Sequence, residues 1–148
     1  MKIFGAIIIL CACVFGSYIY EKKQKNRMQY IAEACDFIKH IKSEIEFFCT
    51  PYKKIREEYL KNNSSALLFC DDLHEKENFL EKDEKKILQA FFSSIGKGFK
   101  DEEISLCEYT YSSLEKKLEK AKEEYPNKIK VFRSMMLFFG VCVIILLI

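Results

Sequence analysis

The sequence predicts an all-α protein: a helical bundle with two long antiparallel helices and about three shorter ones, flanked by N- and C-terminal transmembrane helices. Three observations carry that expectation. Residues 3–20 and 134–148 hold no charged side chain, the stretch between them is dense in charge, and its apolar residues recur at spacings of three and four. With 5 Gly and 2 Pro in 148 residues, few positions interrupt a helix. No alternating run of β-branched residues is long enough for a sheet.

The first element is the apolar segment Ile3 to Tyr20 (domain boundaries 1–20), about 27 Å long as a helix and just short of a ~30 Å hydrocarbon core. Tyr18 and Tyr20 suit the interface at its end. The last element, 131–148, runs from Val131 through Arg133, whose guanidinium can snorkel to headgroups, into LFFGVCVIILLI. A buried core helix is the alternative for each end, and a cleaved signal for the first. Leu10-Cys11-Ala12-Cys13 loosely resembles a lipoprotein processing site, but the chain stays apolar for seven residues after Cys13. Ala12 and Gly16 form a small-xxx-small pair, and Gly140 notches the second segment.

All 22 acidic residues, and all of the 24 basic ones except Lys2 and Arg133, fall between Glu21 and Lys130, so the middle is neutral. That balance argues against nucleic acid as a partner, since displacing counterions needs clustered Lys and Arg. Lys22, Lys23, Lys25 and Arg27 follow the first segment, and Lys128, Lys130 and Arg133 adjoin the second. The positive-inside rule therefore places residues 21–130 in the cytoplasm and both termini on the far side. Cys35, Cys49, Cys70 and Cys107, scattered singly, fit reduced thiols in that compartment.

Within 21–130 the first long helix carries Ile31, Ala34, Ile38, Ile41, Ile45 and Phe48 as one stripe. Thr50-Pro51 ends it, with Thr50 expected as the N-cap of the next helix and Pro51 in its first turn. Three short helices are expected near 51–61, 64–77 and 80–95, separated at Asn62-Asn63 and Asn78. Gly96-Lys97-Gly98 breaks the chain, and Asp101 is the expected cap of a last long helix striped by Ile104, Cys107, Tyr111, Leu114, Leu118, Ala121 and Tyr125. The first and last helices should pack side by side.

Chemistry is sparse. His40 and His74 lack ligand partners at metal-binding spacing, no Walker, GxSxG or HExxH motif occurs, and Gly96-Lys97-Gly98 is too short for a phosphate cradle. Asp71-Asp72 and Asp101-Glu102-Glu103 read as helix N-terminal charge. No catalytic residue, metal site or cofactor is expected, and the chain does not read as an enzyme. Phe47 and Tyr52 fall off the main stripe near the membrane-distal tip, which makes them candidate partner-binding residues, with the Gly96–Asp101 loop near the opposite end of its own helix.

The opening MKIFGAIIIL, the run from Ser43 through Glu44, Ile45, Thr50 and Pro51 to Tyr52, the F-x-x-x-I-G pattern of Phe91, Ile95 and Gly96, and the ending VCVIILLI resemble the stage III sporulation protein AB family over essentially the whole chain. Phe92 stands where the family usually has a second Gly, Phe99 where it has an acid, and Pro126 interrupts the final helix. The resemblance implies a soluble part similar to the cytoplasmic domain of the inner-membrane platform protein of type II secretion. It implies a non-catalytic platform in a mother-cell sporulation complex, joining a cytoplasmic secretion-type ATPase to the other membrane proteins of a trans-envelope channel. Its expected location is the mother-cell membrane facing the forespore. The alternative is a membrane-tethered regulatory or sensory helical module. Oligomeric state is not legible.

Overall fold

A computed structural model describes residues 2–62 and 80–147, all of whose regular structure is helical. Among the described residues there are four helices: α1 (Lys2–Phe48), α2 (Tyr52–Asn62), α3 (Lys82–Ser94) and α4 (Lys100–Leu147). The helix expected at 64–77, with His74 and Cys70, lies outside the described residues. The chain divides into two compact units, residues 1–26 with 120–148, and residues 27–119.

In the 27–119 unit, the striped faces make the core. Ile31, Ala34, Ile38, Ile41 and Ile45 of α1 are buried with Cys35 and Phe37, against Ile55 of α2, Leu88 and Phe91 of α3, Ile95, and Cys107, Leu114 and Leu118 of α4. The spacing of three and four puts each set on one helix face, so burial follows from sequence order. The α1 stripe stops one turn early: Phe48 is exposed, because Cys49 turns the chain at φ 52 and leads it away into α2. Lys42 Nζ reaches Glu108 Oε1 at 2.7 Å, and Lys39 Nζ lies 4.6 Å from the Tyr111 ring centre, so α1 and α4 run antiparallel here. Phe37, Tyr59, Phe91 and Phe92 form an aromatic cluster, with His40 5.2 Å from Tyr59.

Arg27 and Glu84 form the feature that no sequence pattern indicated. Glu84 is 0% exposed and Arg27 8%. Arg27 Nε donates to Glu84 Oε2 at 3.1 Å and Nη2 to Oε1 at 2.5 Å, while Nη1 lies 2.7 Å from Glu81 Oε1. Glu84 Oε2 also accepts the Glu81 backbone N–H at 2.9 Å, closing the first turn of α3. Burial works against the Arg27 charge, but hydrogen bonding and attraction from Glu84, then Glu81, outweigh it and raise the guanidinium pKa.

The other unit pairs the first part of α1 with the last part of α4. Tyr20 stacks on Phe132 with centroids 4.1 Å apart, and a Cβ on Gly16 would stand 2.9 Å from Met136 Cε. Gly16 is thus a point of close approach, whereas Ala12 is exposed. Glu21 Oε1 accepts from Lys25 Nζ at 3.1 Å and from the Tyr125 hydroxyl at 3.3 Å, and Arg133 lies 3.5 Å from Oε2. Lys25, by hydrogen bond and charge, holds the Glu21 carboxyl below its ordinary range. Pro126 sits inside α4 without ending it. Among the described residues, no helix has a stretch long and apolar enough to cross a membrane. The side chains at 3, 4, 6, 7, 9, 10 and 146–148, all within the apolar ends, lie outside those described.

Two outcomes follow from this packing. Removing the enclosed partner, as in Glu84→Ala, leaves the buried guanidinium only the exposed Glu81 as counter-charge and should cost about 3 kcal/mol, whereas joint replacement Arg27→Met/Glu84→Leu should come close to neutral, both read by denaturant unfolding. Cys107, whose thiol pKa burial and then Glu103 push up to about 11, should resist alkylation at pH 8, while exposed Cys49 reacts first in peptide-resolved labelling. Because that pKa rises on folding from 9.0, the Cys107 contribution to stability is complete below pH 9 and is lost as pH climbs through 11.

Candidate functional site

The residues singled out from sequence converge on one end of the 27–119 unit. As α1 ends, the Cys49 turn brings Thr50 back over the helix: its N–H donates to the Glu44 carbonyl at 3.3 Å and its hydroxyl to Glu44 Oε2 at 3.2 Å. Thr50 therefore closes α1 instead of capping α2. Pro51 takes the position before α2, its carbonyl accepting from the N–H groups of Lys54 at 2.9 Å and Ile55 at 3.3 Å. Ile45, next to Glu44, anchors this end of α1 in the core.

The second half of the site is the end of α3. Phe91 is fully buried and its carbonyl accepts the Ile95 N–H at 2.9 Å. Gly96 follows at φ +82, where a Cβ would stand 3.4 Å from Tyr52 Cβ. Only glycine takes this conformation without strain, and the space beside it is filled by the Tyr52 side chain. The turn after α1 and the turn after α3 are thus packed on each other through Tyr52 and Gly96.

The start of α4 completes the arrangement. Glu102, not Asp101, closes its first turn, accepting the Phe99 N–H at 3.2 Å. Lys100 Nζ then donates to the Glu46 carbonyl at 2.8 Å and lies 3.4 Å from Cys49 Sγ. That bridge draws Phe99 to the end of α1, where Phe47 and Phe48 stand. Their exposures are 73%, 71% and 81% for Phe47, Phe48 and Phe99. The sequence singles out Phe47, and its candidate surface, Phe47 to Tyr52 with the Gly96–Asp101 loop, takes in Phe48 and Phe99 without naming them. The cue for Phe48 was hidden, because it continues the apolar stripe and looks like core. Tyr52, the other candidate contact residue, is half-buried and packs on the core.

Chemically this end offers hydrophobic surface over a rigid, hydrogen-bonded base. Among the described residues, no group of three or more His, Cys, Asp or Glu could hold a metal ion. The family model of stage III sporulation protein AB matches residues 2–69 and 69–148. The chain belongs to the stage III sporulation protein AB family. No curated protein and no solved structure matches it. Glu44, Ile45, Thr50, Pro51, Phe91, Ile95 and Gly96, on which the sequence resemblance was drawn, lie in or next to the paired turns, and Phe47 and Phe48 fall between Ile45 and Thr50.

Gly96→Ala should destabilise the fold by about 1–2 kcal/mol through the left-handed backbone alone, seen as a lowered unfolding midpoint. Lys97→Ala, on the same loop, should leave that midpoint unchanged.

Proposed function

We propose that the chain is a non-catalytic, membrane-anchored platform of a mother-cell sporulation secretion-like complex, linking a cytoplasmic ATPase to a trans-envelope channel. Membership of the stage III sporulation AB family supports the sporulation setting. The observation that carries the platform role is the end just described, where paired turns hold Phe47, Phe48 and Phe99 out of the core. Exposed aromatic groups on a firm base bind partners at little cost in ordering, which suits a docking surface.

Anchoring is the second part of the proposal, with helices over 1–20 and 131–148 crossing the mother-cell membrane that faces the forespore and residues 21–130 in the cytoplasm. The described residues by themselves supply no spanning stretch. The full sequence is free of charge over 3–20 and 134–148, about 27 Å and 22 Å as helix, and Val131 and Phe132 lengthen the second with Arg133 free to snorkel. Exposed apolar side chains in that unit, among them Val14, Phe15, Ile19, Phe138, Phe139 and Ile145, favour a lipid environment over water.

Purification of the tagged full-length chain from sporulating cells tests the docking role. The wild type should bring down the ATPase, and Phe47→Asp/Phe48→Asp should reduce the yield about 30-fold, the weight of a central aromatic contact. Both side chains are exposed, so the unfolding midpoint should hold. Undiminished ATPase recovery with the double variant would reject this surface. Tyr52→Asp is a poorer probe, because Tyr52 supports the core.

A further inference from the structure

A groove of about 290 Å³ runs along the unit formed by residues 1–26 and 120–148, lined by Cys13, Val14, Ser17, Tyr18, Glu21, Arg133 and Leu137. Its chemistry changes along its length. Cys13, Val14 and Leu137 make an apolar wall, and Ser17 adds no competing polarity because its hydroxyl donates to the Cys13 carbonyl at 3.1 Å. From Cys13 to Glu21 the wall extends about 12 Å along α1. At the far end stand Glu21, Arg133 and the exposed ring of Tyr18.

Arg133 is under-used there. Lys25 and Tyr125 already occupy Glu21 Oε1, and Arg133 meets Oε2 only at 3.5 Å. A guanidinium has five N–H donors in a fork that matches a phosphate, so most of its capacity is open. With Lys25 balancing Glu21, the mouth of the groove carries one net positive charge beside an apolar trough. We propose that this groove is a binding site for an anionic phospholipid, the phosphate on the Arg133 fork and one acyl chain along Val14 and Leu137. The inference rests on the membrane-anchored reading. Basic pockets between membrane helices at the cytoplasmic face are suited to anionic headgroups, and Lys130, in the same segment, is exposed but does not line the groove.

Native mass spectrometry of the full-length chain in mild detergent, offered equal phosphatidylglycerol and phosphatidylcholine, tests the site. Phosphatidylglycerol should be retained about tenfold over phosphatidylcholine, the scale of one charge-assisted contact. Arg133→Gln should abolish the preference and Lys130→Gln should keep it. Val14→Phe, which fills the trough, should lower phosphatidylglycerol occupancy with Arg133 intact. Equal losses in Arg133→Gln and Lys130→Gln would mean diffuse attraction and overturn the site, as would a lipid-free dimer that Val14→Phe dissociates. Alkaline carbonate extraction separates the two levels. Release of the chain from membranes defeats the anchored reading, whereas retention without lipid preference defeats only the groove.

Discussion

Glu84 is wholly removed from water, and the arrangement around it accounts for that. Three N–H donors converge on its carboxylate, two from Arg27 and one from the Glu81 backbone, while Glu81 offers Arg27 a second acid. Burial of two opposite charges seldom adds much net stability over a hydrophobic pair. Its stronger consequence is positional, since sliding α3 by one turn along α1 would strand a carboxylate in apolar surroundings. Seven to twelve residues on, about 10–18 Å in helical rise, Phe91, Ile95 and Gly96 meet the other end of the bundle. The ion pair at one end of α3 and the glycine turn at the other therefore fix the same register, and the paired turns depend on both.

The two units use apolar surface differently. Among the described residues of 27–119 the large apolar side chains are mostly enclosed, and those exposed are Phe47, Phe48, Phe99 and Tyr109. In the other unit exposure is the rule along both helices, from Ile8 to Ile19 and from Val131 to Ile145. A water-facing domain seldom displays so many contiguous apolar groups. The contrast is physical: one set of helices encloses most of its apolar residues, and the other leaves many of its own exposed.

Periodicity made the α1 and α4 stripes legible, because a helix converts spacings of three and four directly into one face. It misled at Phe48, where the spacing continued but the helix did not, since the left-handed turn at Cys49 is a backbone event with no side-chain signature such as Gly. The same turn reassigned Thr50 from the start of α2 to the end of α1. Composition placed Arg27 among the flanking basic residues but could not pair it with Glu84, 57 positions away. Phe99 and Lys100 joined the candidate site through a contact across 54 residues with Glu46, a distance at which no local pattern speaks.

The residues that carry the sequence resemblance and the exposed rings play different parts in the structure, and the reason is mechanical. Glu44 and Thr50 are spent on each other, Ile45, Phe91 and Ile95 on the core, and Gly96 on the space that Tyr52 fills. What they hold fixed is the exit angle of α1 and the entry of α4, and through Lys100 they bring Phe99 to Phe47 and Phe48. The paired turns thus fix the backbone at this end, and the phenylalanine rings are the apolar surface that this backbone leaves uncovered.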